Sequence, residues 1–248
     1  MIELSHQGEV AVLTMRHGKA NALDVAFCDA IADAFGTLRS SLVRAVVITG
    51  QGTMFSAGVD LPKMLAGGPA YVREFLPALH RLYEAVFFYP KPVVAAVNGH
   101  AIAGGCVLAC CADRRLMAGG RIGVTELQVG VPFPTLAFEV MRFATVPHYL
   151  QEAILGAATY PPEQGLTRGF IDEIAEPAAL MEQSLAAAHA LAALSPAAFA
   201  QSKAQIRAIV RERVAATGAA TDAAVTEIWA KPETLAFMRD YVGRTLKK

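Results

Sequence analysis

The sequence predicts an α/β core followed by a helical C-terminal region. Up to about Pro134, short β-branched runs alternate with segments of helical period. Beyond Pro134 the β signal fades, and alanine-rich helical segments follow one another to the end. The chain has 248 residues, 54% of them hydrophobic and 18% charged, which is room for a large buried core.

The elements follow in order. Glu3 to His6 and Val10 to Met15 alternate on either side of Gly8, as a β-hairpin does. Asn21 and Asp24 offer helix caps before Val25 to Leu38, where Phe27, Ile31, Ala34, Phe35 and Leu38 recur with helical period. Ala45-Val46-Val47-Ile48 is apolar without alternation, the pattern of a strand covered on both faces. Val72 to Val86 reads as an amphipathic helix stopped by Pro90 and Pro92, and Val93 to Val97 repeats the buried-strand pattern. Arg115 to Met117 and Ile122 are candidate short strands. Helices are then expected over Thr135 to Phe143, Tyr149 to Leu155, Pro177 to Leu194, Pro196 to Val214, Thr221 to Ala230 and Pro232 to Leu246. The organisation expected is a core over residues 1–190 and a helical region over 191–248.

Composition narrows the partners. The 22 basic and 22 acidic side chains cancel, so nothing general draws the chain to nucleic acid or to an anionic membrane. Pro92 to Ala112 is mostly apolar and about long enough to span a bilayer, but Asn98, His100 and three glycines interrupt it. It reads better as strand, turn and buried helix. Met1-Ile2-Glu3-Leu4-Ser5 lacks the basic start and apolar block of a secretory signal, so a cytoplasmic location is expected. Cys106 and Cys110 have helical spacing, yet no histidine or further ligand completes a metal set, and packed, reduced thiols are expected with no metal.

Two strand-to-glycine-to-helix corners carry the chemical interest. The first reads Met54-Phe55-Ser56-Ala57-Gly58-Val59-Asp60-Leu61, and the second Asn98-Gly99-His100-Ala101-Ile102-Ala103-Gly104-Gly105-Cys106. Glycine permits a sharp turn and a close approach, and the first N–H groups of the helix that follows have no partner within it. One such corner is usually only a packing device. Two, with their donors opposed, hold one developing oxyanion. The second does not match a nucleotide-binding loop, since its glycine spacing misses G-x-G-x-x-G and no P-loop lysine follows.

These two corners, with Lys19-Ala20-Asn21-Ala22-Leu23 and the segment around Glu126, resemble the signatures of the enoyl-CoA hydratase/isomerase (crotonase) superfamily. The resemblance covers essentially the whole chain. It implies a spiral of ββα turns, a helical C-terminal region that packs into homotrimers or hexamers, and an acyl-CoA substrate. It also implies an oxyanion hole from the backbone N–H groups of Val59 and Gly104. Coenzyme A, part of the substrate, would lie along Lys19, Ala20, Ala57, Asp60 and Leu61, and no separate cofactor is implied. Lys19 and Lys63 are either phosphate contacts or solvated surface lysines.

The family's hydratases share a water between two glutamates. Here the first position is Val107, and the second matches Glu126 in Ile122-Gly123-Val124-Thr125-Glu126-Leu127-Gln128-Val129-Gly130. On residue type alone Glu126 is either a helix-start or surface carboxylate or a buried base; the resemblance implies the base. One carboxylate beside one oxyanion hole suits a proton shuttle, the shift of a 3-enoyl-CoA double bond to 2-enoyl-CoA. Gly123 to Gly130 with Val131-Pro132-Phe133-Pro134, and the tail from Trp229 to Tyr241, are similar to the mitochondrial 3,2-trans-enoyl-CoA isomerase branch. A 2-enoyl-CoA hydratase is the alternative, and a non-catalytic acyl-CoA binder or RNA-associated relative the next. Other candidates are given structural roles: Asp60 as a helix cap, His100 as a turn residue, Asp113 paired with Arg114 or Arg115, and Phe133, Phe138 and Phe143 as core or acyl-pocket wall.

Overall fold

Strand alternation and helix caps shape the structure, a computed structural model that describes residues 1–245. The chain opens with β1 (Ile2–Gln7) and β2 (Val10–Met15), the expected antiparallel hairpin. Then come α1 (Val25–Arg39), β3 (Ala45–Thr49), β4 (Met54–Ser56) and α2 (Leu61–Phe87). β5 (Val93–Val97), β6 (His100–Ile102) and α3 (Gly104–Cys110) follow, then β7 (Arg114–Met117), β8 (Ile122–Gly123), a 3₁₀ turn Glu126–Val129 and α4 (Thr135–Ala144). After a second 3₁₀ turn, Pro147–Tyr149, the rest is α5 (Leu150–Gly156), β9 (Thr159–Tyr160), α6 (Pro162–Arg168), β10 (Glu173–Ile174), α7 (Leu180–Ala192), α8 (Pro196–Ala230) and α9 (Pro232–Thr245).

Three successive strand pairs are each followed by a helix, and this is the spiral of ββα turns. The first strand of each pair enters a six-stranded sheet in the order β1-β2-β3-β5-β7-β10. The second enters a four-stranded sheet in the order β4-β6-β8-β9. Side chains alternate across a strand, so β3 serves two cores. Val46 and Ile48 join the main core, whereas Ala45 and Val47 lie under Leu180, Ala188 and Ala192 of α7. That is why the run shows no polar alternation.

Several expectations need correction. Asp24 caps α1 by accepting from the Phe27 N–H at 2.7 Å, whereas Asn21 is no cap and braces the first corner. β4 and β6 lie inside the two corners, and β9, β10 and α6 interrupt the supposedly helical half. His100 is therefore a strand residue rather than a turn residue. α2 begins eleven residues before Val72, already at Leu61, and kinks at Gly68, whose φ of 58° leaves the helical region just before Pro69. The helices expected over Pro196 to Val214 and Thr221 to Ala230 are one helix, α8. Gly218 lies within it, and a helical glycine costs only about 1 kcal/mol against alanine. Leu246, expected in the last helix, lies outside the described residues.

Asp113 pairs with neither neighbouring arginine. Arg114 bonds Glu173 and Arg115 bonds Asp172, while Asp113 accepts from Lys203 at 2.6 Å, Arg207 at 2.7 Å and the Val93 N–H at 2.8 Å. Lys203 and Arg207 are buried, and burial pushes the Lys203 ammonium down to about 8 although Asp113 pulls it up. This cluster ties α8 to the start of β5. Asp113→Ala would leave two buried cations without a counter-charge. The expected cost is about 3–5 kcal/mol, read as a lower urea midpoint at pH 7. A midpoint within error of wild type would contradict it.

Candidate active site

The two corners meet. Gly58 has a φ of 78°, and a Cβ there would fall 2.7 Å from the Ile102 carbonyl oxygen and 3.0 Å from the Gly104 nitrogen. Only a glycine lets the first corner lie this near the second. Buried side chains hold the first corner. The Asn21 amide donates to the Phe55 carbonyl at 3.1 Å, and the Ser56 hydroxyl donates to the Asn21 carbonyl at 2.8 Å and accepts from the Gly58 N–H at 3.2 Å. Ser56 is thereby committed to the turn. Glycine at 105 serves the same approach, since a Cβ there would lie 2.3 Å from the Ser56 carbonyl oxygen.

Two backbone donors are left over. Leu23 donates to the Gly58 carbonyl at 2.7 Å and accepts from the Asp60 N–H at 2.9 Å. In such a parallel bridge the residue between, Val59, turns its own N–H away from Leu23. Gly104 is the first residue of α3, where no intrahelical acceptor exists. Among the described residues neither the Val59 N–H nor the Gly104 N–H has a protein acceptor. Ala103, between β6 and α3, sits at φ 51° and ψ −125°, a region that costs a side-chain-bearing residue about 1–3 kcal/mol. Tyr83, fully buried in α2, donates from its hydroxyl to the Gly104 carbonyl at 3.0 Å and so orients that peptide. No sequence signal marked Tyr83, which looks like any core aromatic of an amphipathic helix.

Beside these donors lies a mostly apolar cavity of about 350 Å³. Ala20, Ala57, Val59, Asp60 and Leu61 line it, as does Glu126. The residues expected at the site are therefore gathered on one cavity, with two exceptions. Gly104 lies behind Ala103, which lines it, and Lys19 is exposed and does not line it. Lys63 forms an ion pair with the buried Asp24, which also bonds His17 at 2.9 Å. Asp60 caps α2, accepting from the Lys63 N–H at 3.0 Å. Wall residues that the sequence reading did not assign include Ile102, Thr125, Val129 and, from the last two helices, Trp229 and Tyr241. Phe133, Phe138 and Phe143 pack on one another or on Phe87 and do not line it.

Glu126 is 8% exposed, and its Oε2 has no hydrogen-bond partner among the described residues. Loss of solvent pushes its carboxyl up to about 7, against a smaller opposite pull from the backbone N–H groups of Glu126 and Thr125. The tight turn that aims it is closed by the Val131 N–H on the Glu126 carbonyl at 3.1 Å and by Gly130, whose φ is 82°. The Ala103 N–H donates to the Gly123 carbonyl at 2.8 Å, joining the second corner to the strand just before the acid. Val107, where a second acid would stand, is fully buried in the core and does not line the cavity.

Two glycine corners with idle N–H donors, beside an apolar cavity lined by the desolvated carboxylate of Glu126, form the kind of site in which a developing oxyanion and a proton-transfer group can be held together. The sequence pattern of the enoyl-CoA hydratase/isomerase family matches residues 5–237, and the chain belongs to that family. A putative enoyl-CoA hydratase of Thermus thermophilus is 35% identical over 159 residues, 62% of each chain. Mitochondrial enoyl-CoA delta isomerase 1 of Mus musculus is 30% identical over 180 residues, 70% of this chain and 62% of that one. The match thus spans less than two thirds of the length of either relative. Human mitochondrial delta3-delta2-enoyl-CoA isomerase shares the fold with a TM-score of 0.94, over 99% of this chain and 98% of that one, at 23% identity.

Proposed function

We propose that the protein is an enoyl-CoA isomerase that moves the double bond of a 3-enoyl-CoA into conjugation. The observation that carries this reading is a single desolvated carboxylate, Glu126, in the cavity beside the unpartnered N–H groups of Val59 and Gly104. In the proposed reaction Glu126 takes the proton from the alpha carbon, and the thioester oxygen, now carrying the dienolate charge, accepts from Val59 and Gly104. The protonated acid then returns the proton to the gamma carbon, leaving 2-enoyl-CoA. Bonds and charge balance with one acid, so the step draws on no cofactor beyond the coenzyme A of the substrate. A carboxyl titrating at about 7 is a competent base and a competent acid near neutral pH.

Ala20, Ala57, Asp60 and Leu61 are assigned to the coenzyme A side of the cavity, and Lys19, exposed beside Ala20, to its phosphates. A homotrimer or hexamer is proposed with this reading, supported by the exposed Ile206 and Ile209 on α8. The purified protein, given a 3-enoyl-CoA, is expected to raise the absorbance of the conjugated product. No rise above buffer would sink the assignment.

Hydration of a 2-enoyl-CoA is the second reading, favoured by the name of the Thermus relative. Activating water and protonating the alpha carbon are separate tasks, and Asp60, the other carboxylate on the cavity wall, is held as a helix cap. Formation of 3-hydroxyacyl-CoA faster than isomerisation would make this the better reading.

A further inference from the structure

The cavity is closed on one side by two aromatic rings that are held very differently. Trp229, from the end of α8, is 2% exposed; its Nε1 donates to the Pro132 carbonyl at 2.9 Å, and its ring lies 6.4 Å from that of Phe75. It is fixed. Tyr241, from α9, is only partly buried, and its hydroxyl has no hydrogen-bond partner among the described residues. The buried side chains of α9 are Thr234, Leu235 and, completely, Met238, so the helix is anchored one turn before Tyr241.

That anchor sets where Tyr241 lands. Phe237 rests on the glycine that ends the acid's turn, since a Cβ at Gly130 would meet its ring at 2.9 Å. Tyr241 follows Phe237 by four residues and Met238 by three, on the same helix face. The anchored half of α9 thus delivers the Tyr241 ring to the cavity, while the half that carries it has little buried surface. Segments with few buried apolar contacts open at low free-energy cost. The cavity, about 350 Å³, is near the small end for a ligand pocket, which runs from ~300 to 1,000 Å³.

We propose that Tyr241 is the movable end wall of the acyl pocket and sets the longest acyl chain accepted. The inference rests on the isomerase reading for its kinetics, but the pocket limit is readable from binding alone.

The test measures calorimetric affinity for a short and a long saturated acyl-CoA, together with kcat/KM for the matching 3-enoyl-CoA pair. It uses full-length wild type and the variants Tyr241→Ala, Tyr241→Phe and Tyr241→Trp. Tyr241→Ala is expected to raise the long-to-short ratio by about tenfold or more, the scale on which hydrophobic pockets sense missing bulk. Tyr241→Trp should lower it, and Tyr241→Phe should leave it unchanged. Should Tyr241→Ala fail to fold by circular dichroism, the Trp variant still decides by the opposite shift. Ratios that stay at the wild-type value in both the Ala and Trp variants overturn the proposal. So does a Phe variant that behaves like Ala, because the hydroxyl would then be responsible rather than the bulk. If wild type turns over neither 3-enoyl-CoA, the isomerase reading fails, and the affinity ratios still judge Tyr241.

Discussion

Glu126→Gln is expected to abolish double-bond transfer and at the same time to make the protein more stable at pH 8. Positioned proton transfer contributes ~10²–10⁴ in rate, and here one group performs both transfers. kcat/KM should therefore fall by about 10³ or more, and in wild type it should rise with pH through about 7 as the base ionises. The stability effect has a definite sign. Burial lifts the carboxyl from an ordinary value of 4.5 to about 7, so the folded protein holds this proton over a pH range in which the unfolded chain has lost it. Stability then declines as pH climbs between those values, by something on the order of 3 kcal/mol once both states are ionised. A neutral glutamine removes that cost at pH 8 and changes little at pH 4. Parallel urea titrations at the two pH values check it. Full activity in the variant would end the catalytic assignment, and equal stability at both pH values would show that the carboxylate is solvated.

Gly58→Ala should be nearly as damaging through quite different physics. The new methyl would sit 2.7 Å from the Ile102 carbonyl oxygen and 2.9 Å from the Ala103 Cβ, at a φ of 78°. The corners must separate, and the N–H groups of Val59 and Gly104, proposed to share the thioester oxygen, would be pulled apart. Loss of one such donor costs ~10²–10³ in rate, and the loss should fall mainly on kcat. Backbone strain adds a stability penalty above about 1 kcal/mol. Single-turnover measurement of a 3-enoyl-CoA, with thermal unfolding alongside, separates the two effects. A variant with wild-type kcat would mean that the two corners need not touch for catalysis.

The readable part of this molecule was that which depends on neighbours in sequence. The unbroken apolar run of β3 and the Asp24 cap each betray their surroundings through local pattern or a single hydrogen bond, whereas β2, read as alternating, is buried on both faces. The corners were legible because there are two of them, at glycines 58 and 104–105, where one alone would have read as a packing device. Short strands such as β9 and β10, two residues each, carry no periodicity at all, and pairing with distant partners is what makes them strands. Lys203 and Arg207 carry no readable signal for a related reason. Two cations at i and i+4 in an alanine-rich helix look like a solvated face, and only Asp113, far back in the chain, makes them buried.

Residue order was sufficient for the α/β class and the two corners, because each is written in local spacing, whereas the candidate acid came from the family resemblance. Folding in three dimensions supplied the rest: the unpartnered state of Glu126 Oε2, the meeting of Gly58 with Gly104, and the placing of Trp229 and Tyr241 on the cavity wall. Desolvation and convergence are properties of what surrounds an atom. Those surroundings come from segments a hundred residues apart, which no local pattern can report.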